Sequence, residues 1–449
     1  MPSSNRSSGA TRTLAEHAVN VHFEDLPPDV VTVAEQCILD VLGVAIAGAD
    51  EPAARLVHEV TLAEGRPGSS SLLGWPGQRT SASAAALING TAAHALDFDD
   101  VLTSMTAHPS APVVPAVLGL AEERHASGRS LIEAFVSGFE VEGRIGTAVA
   151  PSHYRRGFHA TGTVGTFGAA AATARLLGLG PDEMATALGI AGAQAAGLKC
   201  EFGTMTKPLH AGKAAANGLF ASRLAARGFT SAHDVIGCDQ GFGATQADAS
   251  DPDVLSSPFG SPWYLMRTLF KLHASCHYTH SIFNALEKVR YGVAPEEIER
   301  IEVRVHPDLL SACGIRMPET GLEGKFSMAY VAALALARGS ADPSWFSDDA
   351  VHAPELRALC EKVEIAPSVD IHPFSSECVV RTVDGRAAAS TASSDQPSWT
   401  DRPDEQYPAL LSKFTALVEP VLGAQRTRLI AEGVAHLEEI GDVSDLLGH

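Results

Sequence analysis

Apolar positions recur at helical spacing through most of the chain. In PDVVTVAEQCILDVLGVAIAG, which runs to the glycine at 48, Val33, Cys37, Val41 and Ala45 stand four apart. Pro28 and Asp29 open that stretch with a proline that needs no hydrogen bond and an acid that suits a helix N-terminus. The same period predicts helices over 51–64, 81–96, 111–124, 131–149, 161–177, 181–196 and 208–227. Their Ala and Gly content lets helix backbones approach closely and points to a tightly stacked helical domain. After about 261 the pattern changes. IERIEVRVH (298–306) alternates apolar and charged residues as a half-buried strand does, and 362–365 and 378–383 read as short strands, the last entering an Asp-Gly turn. Helices over 279–289 and 326–338 lie among them. Loop signals in SSDQPSWTDRPDEQ follow, and amphipathic helices over 407–422 and 427–440 finish the chain. The fold class is therefore mainly α: a large all-helical domain, 1–265 rejoined by 395–449, plus a smaller α+β domain over 266–394.

Composition narrows the functional classes. The 449 residues suffice for a large core in two domains. Aromatics make up only 6%, so that core is built from small aliphatic side chains. A formal charge of −20 disfavours nucleic acid or an anionic membrane as partner, and it makes any local gathering of lysines informative. The seven cysteines are scattered without a CxxC, which removes the common zinc spacings and suits a reducing cytoplasm. MPSSNRSSGATRT lacks the apolar centre of a signal peptide and reads as a frayed leader, and no uninterrupted apolar run approaches a membrane span. A cytoplasmic protein is expected.

Five polar clusters interrupt the apolar sequence. The first is HALDFDDVLTSMTAHPSAP, where Asp97, Asp99 and Asp100 end a helical run and His108 follows. One aspartate could cap a helix; three beside histidines exceed that need. In the second, His159 precedes a small-residue helix whose N-terminus favours an anion, while Arg155 and Arg156 suit an exposed capping loop. The GxxGxxG that follows lacks the dinucleotide spacing. The third is GTMTKPLHAGKAAANG. Lys207 stands at a helix start, where the dipole opposes a cation and an acidic substrate would explain it; Lys213 reads as solvated. The phosphate-loop pattern fails there. The fourth, KLHASCHYTH, offers Lys271 as a cationic anchor and His277 as an acid/base imidazole, with Cys276 expected to pack and no spacing that completes a metal site. In the fifth, KFSMAYVAALAL, Tyr330 taken alone is a core tyrosine bonded to a carbonyl.

Taken together, HALDFDD with HPSAPVVPA, GFHATGTVGTFGAAAATARLLGL, GTMTKPLHAGKAAANG, KLHASCHYTH and KFSMAYVAALAL resemble, in order, the MmgE/PrpD family of 2-methylcitrate dehydratases, iminodisuccinate epimerase and cis-aconitate decarboxylases. The resemblance implies a helical domain, an α+β lid domain, a homodimer and a site in the cleft between domains. It assigns Asp97, His108, His159, Lys207, Lys271, His277 and Tyr330 to the site, with no cofactor and no metal. The lysines would hold a di- or tricarboxylate and stabilise charge developing beside a carboxylate, and His108 would be the principal proton-transfer group. The implied activity is a cofactor-independent lyase, dehydratase or decarboxylase; the alternatives are an epimerase of a dicarboxylate and a catalytically silent acid-binding protein.

Overall fold

In the computed structural model, residues 9–65, 67–397 and 402–447 are described. Helices carry most of them, and the main helices stand where the apolar period puts them: Pro28–Gly48, Pro52–Ala63, Ala82–Ala95, Ser110–Arg124, Gly128–Val149, Ala160–Leu176, Pro181–Gly192 and Thr206–Ala225. Ala160–Leu176 lies at the centre of the stack, against Gly128–Val149, Ser110–Arg124 and Thr206–Ala225. Small residues set the spacing. A Cβ at Gly212 would lie 2.3 Å from the Leu87 carbonyl oxygen, so Ala82–Ala95 and Thr206–Ala225 cross in backbone contact that only glycine allows. The two helices are antiparallel, and this crossing brings the end of the first beside the start of the second.

A four-stranded sheet lies within 298–393, in the order Val363–Pro367, Ile298–Val305, Ser375–Thr382, Ala387–Ser393. Its first pair is parallel, with Ile301 opposite Val363; the others are antiparallel. Ser375–Thr382 and Ala387–Ser393 form a hairpin whose open end pairs Ser375 with Ser393. His280–Val289 packs on this hairpin and on Met328–Ala337. The closing Tyr407–Leu422 helix packs on Pro28–Gly48.

Several sequence expectations need correction. Part of the supposed leader is the helix Ala10–Val19, with Leu14, Ala15 and Ala18 in the core. Its tether is tertiary: Thr11 donates from its backbone N–H and its hydroxyl to Asp234 at 3.0 and 2.8 Å. Residues 1–8 lie outside the described residues. Pro28–Gly48 is long and apolar enough to cross a membrane by length and composition, although Glu35, Gln36 and Asp40 interrupt its apolar run. Protein covers it: the Ala82–Ala95 and Tyr407–Leu422 helices pack on it, and most of its residues are buried. The last helix is Ala424–Val434, shorter than its apolar pattern, with a separate turn at Leu437–Glu439. Helix Pro354–Glu361 and strand Ala387–Ser393 were not expected. The strand's alternating small residues offer too little contrast in hydrophobicity to announce it.

Candidate active site

The Ala82–Ala95 helix ends at Leu96, and the next residue, Asp97, takes the left-handed conformation with φ at +51°. Aspartate tolerates that region better than most residues. The turn aims its carboxylate at the start of Thr206–Ala225. There Lys207 Nζ donates to Asp97 Oδ1 at 2.7 Å. Lys271 Nζ donates to the same oxygen at 3.0 Å and to the Asp97 carbonyl at 2.9 Å. Burial works to raise the Asp97 pKa, but the two ammonium groups, helped by His108, hold it well below the usual carboxylate range.

Asp99, fully buried, faces imidazoles instead. His94 Nδ1 lies 2.8 Å from its Oδ2, and His108 Nδ1 lies 3.3 Å from the same oxygen without hydrogen-bond alignment. Burial opposes its ionisation, and His108 and His94 more than offset that, so its pKa is lowered. His108 itself is pushed well below the ordinary imidazole value by burial, with Asp99 opposing the shift. Burial disfavours the charged form of both imidazoles, and the adjacent Asp99 favours it. Asp100 serves the fold: its carboxylate accepts from the Ser110 hydroxyl at 2.5 Å and the Ser110 N–H at 3.2 Å, at the start of the next helix.

His159 caps Ala160–Leu176, where its sequence position puts it, and its Nδ1 lies 3.0 Å from His210 Nδ1. Its ring stacks 5.5 Å from that of His94. His277 comes from the other side, from the turn that starts the His280–Val289 helix. Its Nε2 donates to the Ser394 carbonyl at 2.6 Å, just past the open end of the sheet hairpin, and burial pushes its pKa down to about 4.

Asp97, His108, His159, Lys207 and His277 line one cavity of about 40 Å³. Phe202, Phe326 and Phe374 wall it, and Tyr154 and Tyr278 stand at its edge. Thr106 lines it in a left-handed conformation, φ +52°, that is unfavourable for a β-branched residue. Phe374 also lines a second, more open cavity of about 480 Å³ with Arg267, His372 and Asp395.

Two assigned residues are placed otherwise. Lys271 does not line the cavity; it lies behind Asp97 and directs two hydrogen bonds to that residue, which anchors the aspartate. Tyr330 is not brought to the cavity at all. Its hydroxyl donates to the Trp345 carbonyl at 2.6 Å and its ring packs on Phe346, because the helix face that carries it points into the core. Cys276 is buried, as expected, and forms part of the cavity wall. Arg155 and Arg156 are exposed and pair with Asp308 and Asp248, and Lys213 is exposed.

Tyr154 and Tyr278 line the cavity, and His94, Asp99 and His210 contact residues that do, though sequence reasoning left all five unassigned. His94 and Asp99 were visible in HALDFDD, five residues apart around a helix end; Tyr154 and Tyr278 stand in the second and fourth polar clusters without a role assigned to them there. Atoms of His94, Asp97, Asp99 and His108 approach within 4.8 Å of one another, close enough to ligate a cation. The Lys207 and Lys271 ammonium groups already neutralise Asp97, however, and repel a second positive charge. The arrangement is better suited to an anionic ligand beside Lys207 and proton transfer by neutral imidazoles.

Comparison with known proteins shows the family of the chain. The MmgE/PrpD N-terminal domain matches residues 12–255 and the MmgE/PrpD C-terminal domain residues 273–439. A cis-aconitate decarboxylase of Aspergillus terreus is 31% identical over 99% of this chain and 96% of its own length. The cis-aconitate decarboxylase of Homo sapiens is 31% identical over 93% of this chain and 89% of its own, and that of Mus musculus 31% over 96% and 90%. The chain belongs to the MmgE/PrpD family.

Proposed function

We propose that the protein is a cofactor-independent lyase that decarboxylates a small tricarboxylic acid of the cis-aconitate type. The observation that carries this reading is the convergence of Lys207, His108, His159 and His277 on one cavity beside an ionised Asp97. Loss of carbon dioxide breaks a C–C bond and leaves an electron pair delocalised toward a remaining carboxylate; a proton then adds to carbon. Lys207, buried and fixed on Asp97, is placed to stabilise that charge as it develops. The imidazoles are neutral because burial disfavours their charged forms. A substrate carboxylate arriving beside them supplies the negative neighbour that raises their pKa, so binding itself would load the proton that the carbanion later takes. Tyr154 or Tyr278 replaces Tyr330 as the candidate hydroxyl donor.

A tricarboxylate is larger than the cavity, so entry requires Phe374 to swing toward the outer cavity, where Arg267 and His372 meet an incoming anion. The division into a helical body and an α+β part, the homodimer and a cytoplasmic location belong to the same proposal; all seven cysteines are free, as a reducing compartment would leave them. The test is a product assay of the purified protein on cis-aconitate, 2-methylcitrate, citrate and iminodisuccinate. Carbon dioxide released from cis-aconitate is the expected result. Water loss from 2-methylcitrate, or proton exchange without carbon dioxide, would replace the decarboxylase reading with a dehydratase or an epimerase.

A further inference from the structure

Three consecutive main-chain carbonyls at the Asp97 turn each accept from a different buried lysine. Lys325 Nζ donates to Leu96 O at 2.6 Å, Lys271 Nζ to Asp97 O at 2.9 Å and Lys413 Nζ to Phe98 O at 2.6 Å. Lys413 also donates to Asp40 Oδ1 at 2.6 Å and to the Lys271 carbonyl at 3.0 Å, and its ammonium sits 4.0 Å from the centre of the Phe98 ring. All three of its protons are therefore used inside the protein, and none is left for a ligand. Lys325 comes from the segment before Met328–Ala337, and Lys413 from the closing Tyr407–Leu422 helix.

A helix end leaves carbonyls without partners, and a buried carbonyl must find a donor. Neutral side chains could supply one at far lower cost, because each buried ammonium loses its hydration. The cations act at a helix C-terminus, where the dipole favours them, and they clamp a left-handed residue whose carboxylate is part of the site. We propose that Lys325 and Lys413 are positioning residues that hold the Asp97 turn, so that two segments remote in the chain set where Asp97 and Asp99 stand against Lys207 and His108. This rests on reading that cavity as the reaction site.

The test uses the full chain and two variants. Lys325→Met removes one clamp. Asp40→Asn/Lys413→Met removes the other together with the carboxylate it would leave unpaired, which keeps the fold from carrying a lone buried charge. Carbon dioxide release from cis-aconitate and amide hydrogen exchange are read on each. The expected result is a kcat about 100-fold lower with KM within about threefold, the loss that a misplacement near 1 Å produces. With it, the Val101 and Leu102 amides, which donate to Leu269 and Ala107, should exchange about tenfold faster while Ala10–Val19 is unchanged. Wild-type kcat with unchanged exchange in both variants overturns the proposal, and so does faster exchange spread over the whole protein, which would mean a purely structural role. Local acceleration in a protein that releases no carbon dioxide even as wild type would sink the decarboxylase reading and leave the positioning role standing.

Discussion

Asp97 and Asp99 stand two residues apart, equally enclosed, and the protein surrounds them with opposite chemistries. Asp97 meets the ammonium groups of Lys207 and Lys271; Asp99 meets the imidazoles of His94 and His108. Both are held ionised against burial, but by different means. Two ammonium groups hold one carboxylate oxygen at 2.7 and 3.0 Å, so the Asp97 side is an electrostatic frame. Imidazole charge is conditional on what else is near, so the Asp99 side can take up and release a proton. The left-handed turn at Asp97 separates the two carboxylates and lets one short segment serve both purposes. A framework and a proton-transfer group built on one loop must move together, and this explains why so much buried charge is committed to holding that loop.

The sharpest way to break the contrast is Asp97→Asn, which keeps the shape and strips the lysines of their counter-charge. Two uncompensated buried ammonium groups should cost about 3–5 kcal/mol of unfolding free energy in a denaturant melt, with turnover falling at least about 10³-fold. Asp99→Asn should behave differently, because it leaves no lysine without its counter-charge: a loss of about 1–3 kcal/mol in the same melt, but a kcat about 10²–10⁴-fold lower as His108 loses its neighbouring carboxylate. If the two variants lose stability equally, the distinction between frame and proton carrier fails.

Acid should act through the imidazoles. Burial holds His153, His210 and His277 near 4 and lowers His94, His108 and His159, whereas an unfolded chain takes up those protons near about 6.5. The unfolded state thus binds more protons across that window, and stability present above pH 6.5 is lost as pH falls toward 4. Asp100, raised to about 7 by burial, has the opposite sign: its contribution fades as pH rises through 7. Glu35, raised to about 8, and Asp40, Glu51, Glu122, Glu140 and Glu142 share that sign, but the lowered histidines, with His17, His273 and His280 among them, outnumber these carboxyls, so the thermal midpoint should fall from pH 7 to pH 5 by scanning calorimetry. The smallest effect belongs to Tyr330→Phe. Removing one hydrogen bond to Trp345 should cost about 1 kcal/mol and leave kcat within about twofold, whereas a collapse of turnover would return that tyrosine to the reaction.

Much of this molecule is legible before any coordinates. The period of the apolar residues marks the helices, since a helix buried in small-residue packing must repeat its contacts every turn. Local rules also place His159 and Lys207, each at a helix start where chain stability gives no reason for it. Local rules fail where the neighbours are distant. Ala10–Val19 is held by core packing of Leu14, Ala15 and Ala18 and by Thr11 donating to Asp234, and Lys271 lies behind Asp97, to which it donates. Tyr330 shows the same limit from the other side: its sequence context belonged to a site segment, and its helix face sent it into the core.

What the sequence by itself determined is the succession of helices, the change to strands near 298 and the set of polar clusters from which a site could be made. Which members of each cluster meet was decided only by tertiary packing. The crossing of two helices at Gly212 and the turn at Asp97 convert positions more than a hundred residues apart into neighbours, and no periodicity along the chain records that distance.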